Sequence, residues 1–344
     1  MSEALNQATK VSMPLVSVVV IGRNEGDRLR RCLQSVFDME RVGFETEVIY
    51  VDSGSSDGSV ALAESMSARA ITLKPERPSA ALGRNAGWRA ASGTIILFLD
   101  GDTILHPRFV VDSLGDFSDP QTAVIWGHRR ELYPERSIYI RILDLDWIYK
   151  AGQTLYCGGD ALFRREVLAR VDGFDDTLIA GEEPELCRRI AALGYTIQHV
   201  DRPMTGHDLA IYKWQQYWKR SSRAGHAFAE VSDRFRGTAH SFWTAESKGN
   251  RNKIFALIGL VISSTVATTI FHSWWPVVVV ISFFGLLAIR SAWKARWKTN
   301  DLLALCAYGV HSHIQQVPIF FGQLQFWLNH RKGKRAMLVE YKQP

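Results

Sequence analysis

The sequence predicts an α/β protein with a doubly wound sheet, followed by C-terminal membrane helices. Three observations carry that reading. β-Branched runs alternate with helical patterns through the first hundred residues, and carboxylates stand at the ends of three of those runs. Residues 254–289 contain no Asp, Glu, Lys or Arg.

Val16 to Ile21 (VSVVVI) is an unbroken run typical of a strand buried on both faces. A helical pattern follows, with Leu29, Cys32, Leu33, Val36 and Phe37 on one face. Val48 to Val51 is a second strand ending in the turn cluster DSGSSDGS, where Asp57 is placed to cap a helix over Ser59 to Ser65. Ala70 to Leu73 reads as a third strand, and Ala80 to Ala91 as a helix stopped by Gly93. Thr94 to Leu99 is a fourth buried strand running into Asp100-Gly101-Asp102. This strand–helix alternation is the grammar of a parallel, doubly wound sheet. Ligands of such sheets bind beyond the carboxyl ends of the strands, where Glu25, Asp52, Asp100 and Asp102 stand. Further short strands are expected at Trp126-Gly127 and Cys157 to Phe163, and a helix at Glu183 to Leu193.

The 344 residues carry 41 Lys and Arg against 35 Asp and Glu, a net charge of +6 that hides a split. Residues 1–212 hold 23 basic and 30 acidic side chains, whereas residues 213–344 hold 18 and 5. A basic second part fits nucleic acid or a membrane surface; the uncharged runs decide for the membrane and against nucleic acid. Cys32, Cys157, Cys187 and Cys306 form no CxxC pair, which excludes a zinc cluster or disulfide framework and suits a reducing compartment. The polar stretch from Met1 to Met13 has no apolar core of a signal peptide, so the first domain is expected in the cytoplasm.

A 36-residue helix over 254–289 would be about 54 Å long, too long for one hydrocarbon core of about 30 Å. Pro276 and the HSWWP stretch divide it into Ile254–Phe271 and Val277–Ile289, two spans joined by a tight turn. Lys248, Arg251 and Lys253 precede the pair, and Arg290, Lys294, Arg296 and Lys298 follow it, so both ends are expected on the cytoplasmic side. Residues 302–329 are uncharged but hold His311, His313 and several Gln, which suits a re-entrant or interfacial segment, or a third span. The expected organisation is an arm at 1–13, a catalytic domain at 14–212, a basic interfacial connector at 213–253, a two-span hairpin at 254–289, the segment 290–330, and a basic tail at 331–344.

Several residues carry chemistry on their own terms. Asp100 and Asp102 at a strand end could hold Mg2+ or Mn2+ against a diphosphate; a solvated turn is the plainer alternative. Asp52 could accept hydrogen bonds from a base or ribose, or organise an Asx-turn. Arg84 could reach a phosphate or base as a charged fork, or lie on a helix surface. Glu182, Glu183 and Glu185 open a helix, where the dipole favours acids, yet one of them could serve as a general base. His311 and His313, spaced i, i+2, sit on different helix faces and are read as structural.

VSVVVIGRNE, VDSGSSDGS, GRNAGWRAASG, LFLDGD, CGGDALFRREVLARVDGFDD and GEEPELCRRIAALG stand in the order found in family 2 glycosyltransferases. The chain resembles that family over about residues 16–207, and its tail resembles that of membrane-attached bacterial members. The resemblance implies a GT-A fold with a mixed sheet, inverting transfer from a nucleotide diphospho-sugar (uridine diphosphate by default), and a divalent metal. It gives Arg23, Glu25, Asp52 and Arg84 to the nucleotide, with Arg23 standing where many members have tyrosine. Asp100 also faces the nucleotide, and Asp100 and Asp102 match the metal pair. Glu183 would be the base, a glutamate in place of the usual aspartate, with Glu182 as the alternative. Cys157, Gly158, Gly159 and Asp160 resemble an acceptor-lining segment, and His207 a completing metal ligand. Arg220 and Arg223, on a basic stretch without the QxxRW of processive synthases, would meet a diphosphate or anionic lipid. The expected acceptor is lipid-linked or held at the membrane. A sugar nucleotidyltransferase and a non-catalytic membrane subunit that binds nucleotide-sugars are the competing functions.

Overall fold

The computed structural model describes residues 13–333. The readings of a disordered arm at 1–13 and a basic tail at 331–344 lie almost wholly outside the described residues. The first half follows the expected order: β1 (Leu15–Gly22), α1 (Asp27–Phe37), β2 (Glu45–Asp52), α2 (Ser59–Ser65), β3 (Arg69–Thr72), α3 (Ala80–Ala90) and β4 (Ile95–Asp100). β1 pairs in parallel with both β2 and β4, and β2 with β3. The register sets Gly22 opposite Asp52 and Ile21 opposite Asp100, so three strand ends meet at one edge of the sheet. The strand order reverses at β1, the kind of switch point where a crevice opens. Leu29, Cys32, Leu33 and Val36 of α1 are buried as their spacing demands.

The sheet then becomes mixed. β5 (Thr103–Leu105), β6 (Thr122–Glu131), β7 (Gly152–Thr154), β8 (Ala161–Arg164) and β9 (Thr196–His207) extend it to the order β3-β2-β1-β4-β8-β6-β9-β5, with β7 also on β9. β8 runs antiparallel to β4 and β6, and β9 parallel to β6. One expectation is corrected here. The strand expected from Cys157 begins only at Ala161, because the Asp160 carboxylate, not a backbone carbonyl, accepts the Asp100 N–H at 3.0 Å. The 12-residue β9 gives no clean alternation in sequence: it carries Pro203 where its register against β6 shifts around His128, the kind of irregular position that tolerates proline. Between these strands lie the short α4 (Phe109–Ser113), α5 (Ile138–Asp144) and α6 (Arg165–Arg170), and α7 (Glu182–Ala192), which starts at Gly181 with three acids in its first turn.

Five helices follow: α8 (Trp214–Arg234), α9 (Thr244–Phe271), α10 (Trp275–Ala295), α11 (Leu302–Ile314) and α12 (Gln316–Arg331). Among the described residues, α9 and α10 are the two helices long and apolar enough to cross a membrane. Only 11% and 6% of their most apolar windows is buried, so neither is the core helix of a soluble fold. The chain turns between them at His272 to Trp274, one turn of helix before Val277. The uncharged segment 302–329 divides at Gln315 into α11 and α12. α12 lies so close to α8 that a Cβ on Gly225 would stand 1.9 Å from the Ile319 carbonyl oxygen, and one on Gly322 1.8 Å from that of Ser222. Two glycines, one from each helix, therefore permit this crossing.

The helices clasp the sheet domain at one turn. The Tyr308 hydroxyl donates to Asp146 at 3.0 Å, Lys298 Nζ to the Leu145 carbonyl at 2.6 Å, and the Tyr217 hydroxyl meets His311 Nδ1 at 2.7 Å. His313 goes elsewhere, to Ser291 at 3.1 Å. The clasped turn continues into Trp147, which lines the cleft described next.

Candidate active site

The loops after β1 and β2 lock together through backbone donors and short side chains. Asn24 Oδ1 accepts the Ser56 N–H at 2.8 Å, Ser55 Oγ accepts the Asn24 N–H at 2.8 Å, and Asp57 Oδ2 accepts the Gly26 N–H at 2.9 Å. Asp57 also accepts the Ser59 N–H at 3.1 Å, although Gly58 occupies the cap position of α2. Asp52 is completely buried, and its carboxylate accepts from the Tyr50 hydroxyl, the Gly54 and Ser55 N–H groups and the Ser55 hydroxyl. It builds the loop and is not among the residues that line the cleft. Glu25 does line the cleft, ion-paired with Arg28 at 2.9 Å, as does the exposed Arg23.

Arg84 is the hub of the site. Its guanidinium, 2% exposed, reaches Asp100 at 2.9 Å, Glu182 at 3.0 Å and Glu183 at 3.0 Å. Burial alone would discharge it, but the surrounding carboxylates outweigh burial and hold it charged. Gly159 is required beside this pair: a Cβ there would stand 2.6 Å from the Arg84 guanidinium and 2.9 Å from the Asp100 carboxylate. Arg84 is thus a buried organiser of three acids on the cleft wall, and not the surface arginine that its helix position allowed. Glu183 sits where two effects compete. Burial, then the neighbouring Glu182, push its carboxyl up to about 7, against the opposing pull of Arg84. A carboxyl poised there exchanges protons near neutral pH, as a general base requires.

Across the cleft, β5, β6 and β9 bring a second set together. Asp102 Oδ2 lies 3.1 Å from His207 Nε2, and His207 Nδ1 lies 2.7 Å from Glu131 Oε1, all three residues buried. Carboxylate plus imidazole is a donor set suited to Mn2+ and similar ions. Among the described residues, however, no three His, Cys, Asp or Glu side chains converge as a ready cation site. Asp100 shows why the expected trio does not close: its Oδ1 is turned to Arg84. The protein itself therefore offers two converging donors, Asp102 and His207, with substrate oxygens left to complete a shell.

The acceptor-like segment divides in the same way. Cys157, Gly158 and Gly159 line the cleft, Cys157 packed 3.6 Å from Cys187. Asp160, fully buried, accepts the Asp100 N–H and the Thr205 hydroxyl, the latter at 2.8 Å, and is not among the residues that line the cleft. Arg220 and Arg223 of α8 reach the cleft wall, Arg223 also donating to the Ile179 carbonyl at 2.9 Å. The cleft has a volume of about 550 Å³, and its remaining wall includes Arg129, Trp147, Tyr149, Tyr156 and Trp243. Tyr156 directly precedes the acceptor-like segment, but Arg129, Trp147, Tyr149 and Trp243 carried no signal in the sequence for the site, because each lies away from the motifs. Glu131 was missed likewise; its partner His207 is 76 residues away.

A mixed sheet with a crevice at its switch point and acids at the strand ends is a GT-A-like architecture. Residues 17–171 match the family described as Glycosyl transferase family 2. It is 26% identical over 195 residues to glycosyltransferase AglE of Haloferax volcanii, covering 54% of this chain and 64% of that protein. It is 23% identical over 230 residues to the probable glycosyltransferase YdaM of Bacillus subtilis, covering 61% and 54%. The pre-mycofactocin glycosyltransferase of Mycobacterium tuberculosis is 27% identical over 209 residues, covering 56% and 42%. The chain thus spans about half the length of the curated relatives it matches. Its fold is shared with a mannosyltransferase of Pyrobaculum calidifontis solved in complex with GDP-Man and Mn2+, at a TM-score of 0.65 and 17% identity, covering 93% of this chain and 88% of that one.

Proposed function

We infer that this protein is a membrane-attached, inverting glycosyltransferase that moves a sugar from a nucleotide diphospho-sugar to a hydroxyl of a lipid-linked or membrane-held acceptor. The observation that carries the reading is one cleft lined both by Glu183, a carboxyl poised near neutrality, and by the Asp102–His207 pair. The donor's nucleotide would lie over the loops of Arg23 and Glu25, and Asp100 would face it with its carboxylate steadied by Arg84. Glu183 takes the proton of the acceptor hydroxyl as that oxygen attacks the anomeric carbon, and the nucleoside diphosphate leaves from the opposite face. Asp102 and His207 would hold a divalent cation, Mg2+ or Mn2+, whose chemistry is to neutralise the diphosphate leaving group. Arg220 and Arg223 would add positive charge from α8, towards a diphosphate or anionic lipid.

Membrane attachment is supported by the α9–α10 hairpin. Ile254–Phe271, 18 residues, is about 27 Å of helix, close to the thickness of a hydrocarbon core. Basic side chains flank the same end of both helices, which supports a cytoplasmic catalytic domain. The clasp from α11 to the turn bearing Trp147 ties the cleft to this hairpin, which favours an acceptor presented at the bilayer.

The test is product identity on membranes carrying the chain, supplied with a panel of nucleotide sugars. Release of a nucleoside diphosphate, with inverted anomeric configuration in the product, is expected. Release of pyrophosphate assigns a nucleotidyltransferase instead. An intact protein that binds nucleotide but turns over no donor points to the non-catalytic subunit.

A further inference from the structure

The Glu131 carboxylate is 1% exposed, and its position is over-determined. The parallel pairing of β6 with β9 sets Glu131 opposite His207, and the Leu132 N–H donates to the His207 carbonyl at 2.9 Å. Glu131 Oε2 accepts the Leu209 N–H at 3.1 Å, which stops the carboxylate from turning. Its other oxygen lies 2.7 Å from His207 Nδ1. A buried carboxylate is costly unless it is satisfied, and this one spends its second oxygen on the ring that faces Asp102.

We propose that Glu131 is a positioning residue: it holds the His207 ring by Nδ1, so that Nε2 is kept facing Asp102 and the cation that both would bind. A carboxylate accepts hydrogen bonds, so Nδ1 donates to it. Nε2 is thereby fixed 3.1 Å from the Asp102 carboxylate, and a cation would displace any proton that those two atoms share. Metal-binding histidines are commonly oriented in this way by a carboxylate behind the ring. Burial of the pair strengthens the hydrogen bond. The inference rests on the reading of Asp102 and His207 as the cation's protein ligands, and adds a residue that touches neither cation nor substrate.

The experiment uses the full chain in detergent and titrates Mn2+, alone and with uridine diphosphate, following the free Mn2+ signal by electron paramagnetic resonance. Glu131→Gln keeps the shape but lets its amide donate to Nδ1, which drives the ring proton to Nε2. It is expected to weaken Mn2+ binding by about 10–100-fold, the usual effect of losing such a partner, with the melting temperature used to confirm that the variant is folded. His207→Ala should weaken binding at least as much. Independently, ¹⁵N-imidazole spectra of the wild type, with His207 assigned by its loss in His207→Ala, should show the proton on Nδ1; this decides the matter if Glu131→Gln does not fold. If His207→Ala weakens Mn2+ binding while Glu131→Gln binds within twofold of wild type, or if Nδ1 of the wild type carries no proton, the role of Glu131 is overturned and the metal pair stands. If His207→Ala leaves Mn2+ affinity unchanged, the metal pair itself fails, and Glu131 with it.

Discussion

In the sheet, Val18, Val19, Leu97 and Phe98 are fully buried and the charges gather at one edge; in α9 and α10, Ile262, Ile270, Ile281 and Leu286 are more than half exposed and the charges stand at the helix ends. The same residue types thus face opposite ways in the two regions. Water surrounds the first, so apolar side chains are driven inward and the acids can be concentrated around Arg84. The second has outward apolar faces that only a hydrocarbon solvent would satisfy. The cleft lies where the regions join, its walls drawn from the strand ends, α7 and α8. Its concentrated charge comes from the sheet domain, and the helices supply the apolar surface through which we propose that it meets a bilayer.

Four substitutions or titrations sharpen that comparison. The largest effect is expected at the charged edge: Glu183→Gln should lower kcat by about 10²–10⁴-fold, the usual contribution of a general base, with nucleotide affinity nearly unchanged. Paired turnover and calorimetric measurements check this, and unaltered turnover would refute the role. Next, Leu97→Ala removes a fully buried side chain and should cost about 2–5 kcal/mol in denaturant melts. Ile262→Ala, on the exposed face of α9, should stay within about 0.5 kcal/mol in the same detergent assay. An equal cost at both positions would mean that α9 is packed in protein. Third, Ile262→Lys should raise the cost of membrane insertion by about 2.5–3.5 kcal/mol near a helix centre. Loss of the chain from washed membranes checks it, and undiminished retention would count against a spanning α9. The smallest effect is a titration. Glu183 is pushed up to about 7, and as a base it works deprotonated, so kcat/KM should fall about tenfold per pH unit below that value. Glu182 helps to raise it, so Glu182→Gln should move this acid limb to lower pH.

Much of the first half was legible because its signals are local. The run Val16 to Ile21, the helical spacing from Leu29 to Val36 and the strand ending in Asp100 each state their own structure, and β1, α1 and β4 follow them closely. The acids at the strand ends were visible for the same reason. Asp52 and Asp160 show the limit. Both are carboxylates in motif positions, yet both accept from protein donors and neither lines the cleft. A motif fixes where a residue stands in the chain, and its hydrogen-bond partners decide what remains for a ligand. β9 was not legible at all, since Asp201, Arg202 and Pro203 interrupt its alternation and only its neighbours β6, β5 and β7 make it a strand.

The sequence by itself determined the alternating α/β half, the carboxylates at its strand ends, the charge split between the two regions and the uncharged hairpin, because periodicity, turn chemistry and charge are properties of short stretches. Tertiary structure decided the rest. It turned Arg84 inward onto three acids, set Glu131 behind His207, spent Asp52 and Asp160 on the scaffold, and let Gly225 and Gly322 bring α12 against α8. Each of these depends on atoms brought within bonding or van der Waals distance from separate parts of the chain, and no local pattern encodes such a meeting.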